Sequence, residues 1–404
     1  MNMFLASPDN NGLCTKETAV TKVVTATRLI PAISAHMLVN GGDRYTRDSF
    51  IEAWLYAHVG EIPVVYIHDG NDIMNTLFRQ LMPNCLQIGG GTLVQEYDPL
   101  RDIPLQRFFS ELIARDPAIA GRVSLSYIKG IATLLLVSHY ELTLYRLNSY
   151  ASTDLGVVIR RHADDLDDDT YALLKRCMNR SDSSIEQTLD FLDLLCDACG
   201  GELNLGRMDR GKSILSALRH GHGVSIDTRK LTNPLAASMM AVQLQLAKEC
   251  RIPYCIVLDL NSMIPDSIST MLSQGDSARL ALFACPNIWS TVSGNSTLPQ
   301  HLLAIQNLSV FFPNGNMALS HDLSKYLDTY WRENRTHTSG TNRGKSRRSF
   351  SILPVNANGT NTGISVQYVR DTLMSANELR KLPPQTGVII AQNVEPILIS
   401  PIAL

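Results

Sequence analysis

The chain of 404 residues is short of cysteine, with eight, and of aromatic residues, at 6%. So few cysteines exclude a disulfide scaffold and point to reduced thiols in a cytoplasm. An excess of one charge is missing too. Lys and Arg number 36 against 38 Asp and Glu, for a net charge of −2. Any hold on nucleic acid or anionic lipid must therefore come from a local patch. No apolar run approaches the ~20 residues that span a bilayer. Met1 to Asn11 has neither the basic nor the apolar stretch of a signal peptide. With 25 Gly and 18 Pro a fibrous repeat is excluded, and no internal repeat is found. What is present, 45% hydrophobic residues, suffices for two or three cored units at about 150 residues each.

Periodicity divides the chain into three stretches. In the first, 12–103, Val20 to Thr27 and Ile30 to Val39 read as extended segments, followed by the break Asn40-Gly41-Gly42-Asp43. Apolar residues at Phe50, Ile51, Trp54 and Leu55 predict a helix over Thr46 to Val59, with Thr46 or Asp48 as its N-cap. Pro63 to Asp69 is a continuous apolar run of the kind buried on both faces of a sheet. Strand, glycine break, helix and strand in that order predict a mostly parallel α/β sheet. From 104 to 200 helical spacing dominates, over Phe108 to Arg115, Ser126 to Leu147, Asp169 to Met178 and Ile185 to Cys199, predicting an inserted all-α domain. Its acidic run Asp164 to Asp169 reads as a solvated linker that starts the next helix.

Over 201–404 the α/β pattern returns. Strands are predicted at Gly223 to Asp227, Pro253 to Asp259, Arg279 to Cys285, Leu308 to Phe312 and Ile364 to Val369, with a helix over Pro234 to Cys250. Gly387 to Ala391 and Pro396 to Ser400 predict a terminal hairpin across Asn393. Between them, Trp331 to Phe350 is polar, and its basic part, 332–348, carries Arg332, Arg335, Arg343, Lys345, Arg347 and Arg348. It reads as a flexible loop able to touch nucleic acid or an acidic partner surface.

Two places invite a phosphate-binding reading. Gly206-Arg-Met-Asp-Arg-Gly211-Lys212-Ser213 matches G-x-x-x-x-G-K-[ST]. In such a loop glycine-backed N–H groups surround phosphates, Lys reaches the terminal ones and Ser or Thr holds Mg²⁺. The context is poor: Gly201 to Leu205 is short and polar, and Gly221 and Gly223 cut the following helix early. Asp259 remains available as a carboxylate toward Mg²⁺. The second place, Gly41-Gly42, sits between strand and helix as the loop should, with Arg44 and Arg47 near a helix N-terminus. It lacks the Gly-Lys-Thr, and so the main electrostatic support of phosphoryl transfer. Cys196-Asp-Ala-Cys199 offers half a zinc site, with only His220 and His222 to complete it, and also fits the apolar face of a helix.

In its order of elements the chain resembles the conjugative coupling-protein group of FtsK-like motor ATPases of type IV secretion. Val64 to Asp72 and Glu96-Tyr-Asp98-Pro99-Leu100 are similar to that family's successive strand ends. Gly211 to Asp227 and Asn233-Pro234 are similar to its next strand and helix, and Ile256-Val-Leu-Asp259 to its Walker B strand. Phe312 to Tyr330 and Met374 to Pro383 are similar to its tail. The resemblance implies a RecA-like, P-loop NTPase-type sheet flanked by helices, with an inserted all-α domain and an ATP/Mg site at Gly41, Gly42, Arg44, Arg47 and Asp259. It also marks departures. Gly42 to Ser49 has no Walker A Lys and Thr, Leu260 stands at the catalytic Glu position, Cys285-Pro286-Asn287 replaces the sensor Gln, and the family's N-terminal membrane helices have no counterpart.

These departures imply a degenerate nucleotide site with no catalytic residue, no metal and no bound cofactor. The expected role is an ATPase-inactive subunit for assembly or substrate recruitment in conjugation or type IV secretion. It would be cytoplasmic or peripheral to a membrane complex, with secretion proteins and an active motor as partners and room for an oligomer. The rival expectation is an active P-loop NTPase or DNA-translocation motor using Gly206, Gly211, Lys212 and Ser213 with Asp259.

Overall fold

The computed structural model describes residues 36–399 except 90–95, 117–118, 120–122, 152, 154, 180–181, 201–210, 232, 274–278, 293–297, 307, 314, 328, 347–354, 373, 384–385 and 392–393. The extended segment expected at Val20 to Thr27 lies outside these residues. Eleven strands form among them: β1 (Met37–Gly41), β2 (Val64–His68), β3 (Leu86–Ile88), β4 (Val224–Asp227), β5 (Cys255–Asp259), β6 (Leu280–Cys285), β7 (Leu308–Phe312), β8 (Thr329–Ser346), β9 (Val355–Thr372), β10 (Gly387–Ala391) and β11 (Val394–Ile399). Nine of them make one sheet in the order β11-β10-β7-β1-β6-β5-β2-β4-β3. From β7 to β3 every neighbour is parallel. β10 and β11 add an antiparallel margin.

Each central strand is buried throughout and mostly apolar because both of its faces are covered. Alternation sends Leu38, Val65, Ile67, Ile256, Leu258 and Phe283 to one face. There they pack with the helix α10 (Pro234–Glu249), through Met239, Val242 and Leu246, and with the helical stretch between β3 and β4. Met37, Val39, Val64, Tyr66, Val257 and Leu282 go to the other face. That face is closed by Phe50, Ile51, Trp54 and Leu55 of α1 (Arg44–His58) and by Met74 and Phe78 of α2 (Asp72–Leu81).

Between β3 and β4 the chain is helical: α3 (Leu105–Arg115), α4 (Leu125–Val137), α5 (Leu144–Ala151), α6 (Leu155–Arg161), α7 (Asp168–Met178), α8 (Asp182–Cys199) and the short α9 (Ile214–Arg219). The single helix expected over Ser126 to Leu147 is two. His139 takes a left-handed φ of 58°, and the Tyr140 N–H returns to the Leu135 carbonyl at 2.9 Å, which closes α4. The chain restarts where the buried Asp98 carboxylate accepts the Leu144 N–H at 3.1 Å. That cap comes from 46 positions upstream, so local sequence cannot announce it. Asp167 caps α7 by accepting from Thr170 N–H at 2.6 Å, so the acidic run starts a helix as expected.

The loop expected over 332–348 is corrected. Residues 329–346 form β8, paired antiparallel with β9 in a separate two-stranded ribbon. Low aliphatic content suggested a loop, but the stretch is rich in β-branched threonine, and its pairing partner, which contains the strand expected at Ile364 to Val369, lies later in the chain. Residues 347 and 348 are outside the described residues. The β10–β11 hairpin forms, with Asn393 outside the described residues.

Candidate functional site

Strands β7 to β3 end along one edge, and the segments leaving it carry the polar groups. β1 stops at Gly41, and only Gly42 and Asp43 intervene before α1 begins. Two residues are too few to wrap N–H groups around a phosphate. The glycines have a packing reason. Gly41 has φ +90°, and a Cβ there would lie 2.3 Å from the Phe312 carbonyl oxygen and 2.5 Å from Leu319 Cδ2. The Gly42 N–H already donates to that same carbonyl at 3.0 Å.

The N-terminus of α1 is occupied by the protein itself. The Asp43 carboxylate accepts from the Thr46 N–H at 2.7 Å and from the Thr46 hydroxyl at 2.6 Å. These bonds hold Asp43 below the usual carboxylate range. The cap is therefore Asp43 rather than the expected Thr46 or Asp48. A phosphate brought to this helix end would meet a carboxylate already seated there. The two arginines are also engaged. Arg47 is buried and donates from Nη1 to the Gly42 carbonyl at 2.7 Å and from Nη2 to Asn261 Oδ1. Arg44 donates to the Gly70 carbonyl at 3.2 Å and lies 3.9 Å from the Asp48 carboxylate.

Asp259, at the end of β5, faces the protein. Its Oδ2 accepts from the Tyr66 hydroxyl at 2.9 Å and from Asn71 Nδ2 at 2.6 Å. The same Asn71 amide donates to Asp48 Oδ1 at 2.6 Å, while its Oδ1 accepts the Met74 N–H at the start of α2. Burial pushes Asp259 up to about 6, against the opposing bonds from Asn71 and Tyr66, and raises Asp48 as well. Beside them the His68 ring accepts the Gly70 and Asn71 N–H groups at 3.1 and 3.2 Å. Burial lowers its pKa to about 4. Asp69 takes the N–H groups of Asn261 and Ser262 at 2.6 and 2.5 Å, tying the end of β2 to the segment after β5.

Sequence reasoning named Gly41, Gly42, Arg44, Arg47 and Asp259, and all five lie on this edge. It gave Asp48 only as a helix cap and missed the other groups that knit them together: Asp43, Tyr66, Asn71 and Asn261. Only Asp43 had a local signal, an Asp at a helix start. The others are polar residues whose meaning depends on three strands, β1, β2 and β5, converging. Leu260 is buried, with its N–H on the Ala284 carbonyl at 3.0 Å, and Asn287 caps a short turn by accepting from the Trp289 N–H.

The second candidate lies elsewhere in the chain's connectivity. Gly206 to Arg210 are outside the described residues. Lys212 makes a bridge with Tyr97, its N–H donating to the Glu96 carbonyl at 2.9 Å and its carbonyl accepting the Asp98 N–H at 3.0 Å. Ser213 is buried and accepts the Ser216 N–H at 2.9 Å as the cap of α9, a helix of six residues that runs into β4. Among the described residues no hydrogen bond or ion pair joins Gly211, Lys212 or Ser213 to Asp259. Cys196 and Cys199 sit on α8, where burial pushes Cys196 up to about 12 and holds Cys199 well above the usual thiol range. Among the described residues no three His, Cys, Asp or Glu side chains gather as metal ligands.

No protein-family model matches the chain, and no curated protein matches it. Solved structures do. The bacterial conjugative coupling protein TrwBdeltaN70, in an unbound form, superposes with a TM-score of 0.51 at 15% identity, covering 96% of this chain and 91% of that one. TrwB in complex with the GTP analogue GDPNP gives 0.49 at 14% identity, over 95% and 90% of the two chains. VirB4 of Thermoanaerobacter pseudethanolicus gives 0.39 at 12% identity, over 91% and 89%. Among the described residues no helix is long and apolar enough to cross a membrane. The mostly parallel sheet with helices on both faces, expected from the order of elements, is thus the RecA-like α/β fold of the bacterial conjugative coupling protein.

Proposed function

We propose that this chain is a coupling-protein-like subunit that keeps the motor's fold without its nucleotide chemistry and serves assembly or substrate recruitment in a conjugation or type IV secretion machine. One observation carries the reading. At the sheet edge where ATP/Mg would sit, the helix N-terminus is capped by Asp43, Arg47 is bonded to the Gly42 carbonyl and Asn261, and Asp259 is bonded by Tyr66 and Asn71. A Mg-nucleotide does not fit this arrangement, because each group it would use is spent on another and no lysine is among them.

Two surfaces support a binding role. Tyr45, Ile73, Met263 and Met317, at the starts of the segments that leave β1, β2, β5 and β7, are 62%, 70%, 62% and 72% exposed. Apolar side chains gathered on one edge suit a protein partner better than a triphosphate. We read 104–200 as an inserted all-α domain. It holds an open cavity of about 550 Å³ whose lining includes Tyr127, Leu155, Ile159, Arg160, Tyr171 and Lys175.

The test is nucleotide binding and hydrolysis by the purified chain in millimolar ATP and Mg²⁺, with and without Lys212→Ala. The expected result is no turnover and no shift in melting temperature for either protein, since a ligand bound to the folded state would raise it. Turnover abolished by Lys212→Ala overturns the proposal in favour of a motor using Gly206 to Ser213 with Asp259.

A further inference from the structure

Helices α4, α6, α7 and α8 meet around the cavity of about 550 Å³, and its walls differ in charge from the stretch that builds it. Residues 104–200 hold ten Lys and Arg against fourteen Asp and Glu. The lining nevertheless contains two cations, Arg160 and Lys175, and no carboxylate. Among the described residues neither side chain takes part in a hydrogen bond or an ion pair. Two like charges on one opening repel each other, and acids abundant in the same stretch do not compensate them. Such a placement suits an anion that comes from outside the chain.

Helical spacing explains how these groups converge. Leu155 and Ile159 of α6 are one turn apart, with Arg160 beside them, and Tyr171 and Lys175 of α7 are likewise one turn apart. Leu155 and Ile159 are 5% and 8% exposed and, with the buried Tyr127 of α4, give the cavity an apolar floor. Arg160, Tyr171 and Lys175 are exposed and form its rim. The Tyr127 hydroxyl already donates to the Ala151 carbonyl at 3.4 Å, so it brings no free donor to the floor. The cavity is apolar below and cationic at its mouth, and its volume is that of a small-molecule site.

We propose that this cavity binds a small amphipathic organic anion, an alkyl or aryl acid whose apolar body lies on Tyr127, Leu155 and Ile159 while Arg160 and Lys175 hold its carboxylate. Removing the body from water favours binding in proportion to the apolar area covered. Hydrogen bonds from two cations to one carboxylate are of the strong, charge-assisted kind and fix the ligand's orientation. A nucleotide or a bare phosphate fits less well, because the floor offers no donor to further charged oxygens. The inference goes beyond the proposed role and does not rest on the state of the sheet edge. Nucleotide turnover there would leave it standing.

The experiment is titration of the full chain with anilinonaphthalene sulfonate, a fluorescent aromatic body with one anionic group, followed by displacement with decanoate or with decanol. Decanoate should displace the dye, and decanol, the same chain without the charge, should do so about tenfold less well. Arg160→Gln with Lys175→Gln should weaken decanoate binding about tenfold. Arg176→Gln, on the same helix as Lys175 but outside the lining, should leave it unchanged. Melting temperatures report whether the variants fold, and if the double variant does not, the parent's preference for decanoate over decanol still decides. The proposal is overturned if decanoate fails to displace the dye, if decanol competes equally well, or if Arg176→Gln acts as strongly as the double variant.

Discussion

Gly41–Asp43 and Gly211–Ser213 divide between them what a phosphate site requires. The first has the place, between the central strand β1 and the N-terminus of α1, without the residues. The second has the residues, in a Gly-Lys-Ser that ends on the cap of a six-residue helix leading into β4. A phosphate loop works by convergence of N–H groups, a lysine and a Mg²⁺-binding hydroxyl on one point. Here Lys212 is held through its backbone between Glu96 and Asp98, and Ser213 is occupied by Ser216. The lesson of the pair is that glycine spacing is a weak marker of chemistry. Gly41 is glycine because Phe312 and Leu319 leave no room for a Cβ.

The comparison can be broken by perturbing each side. The largest effect is expected from Asn71→Ala, which removes the amide shared by Asp48 and Asp259 together with the cap of α2. Urea unfolding should show a loss of about 3 kcal/mol, the scale of a buried group left without its partner plus a lost cap. A much smaller loss would mean that the network at the edge is not closed. Gly41→Ala should cost about 2 kcal/mol, since it forces a left-handed φ and a clash with backbone. If this variant kept its stability, the packing account of the glycine would be wrong.

A pH series tests the same edge. His68 is neutral in the folded chain down to about pH 4, whereas its ordinary value is 6.5. Unfolding therefore takes up a proton between these values, and stability that is full above about 6.5 falls as pH drops toward 4. Asp98 and Asp259, raised to about 6 from 3.8, act in the opposite sense and add stability as pH falls through that window. His68→Gln removes the first contribution. Between pH 6.5 and 5 the variant should gain about 2 kcal/mol relative to the parent, measured as the difference in slope of unfolding free energy. Equal slopes would show that the ring titrates freely. The smallest effect is on the other side: Ser213→Ala should cost about 1 kcal/mol as a lost helix cap, identical with and without ATP. A larger cost in the presence of ATP and Mg²⁺ would reverse the comparison.

Much of the fold was legible. Val64 to His68, Cys255 to Asp259, Leu280 to Cys285 and Leu308 to Phe312 are continuous apolar runs, and runs covered on both faces read the same in any context. The glycine break and the amphipathic helix after it were equally plain. The helix break at His139 was not, because its restart depends on Asp98 far upstream. Nor was β8, whose pairing with β9 turns a polar stretch into strand. At the candidate site the sequence pointed to the correct edge but not to its state. Nothing local in Tyr66, Asn71 or Asp48 says that they meet at Asp259.

By itself the sequence determined which segments are buried strands and helices, and that no Lys and Thr follow the glycine pair. Both follow from residue type and spacing, which act over one turn or one strand. Only the tertiary structure decided that Arg47 is tied to Asn261 and that Asp259 is satisfied by Tyr66 and Asn71, and that β8 pairs with β9. Partners separated by tens to hundreds of residues are brought within hydrogen-bonding distance by sheet order and register, and no local rule encodes either.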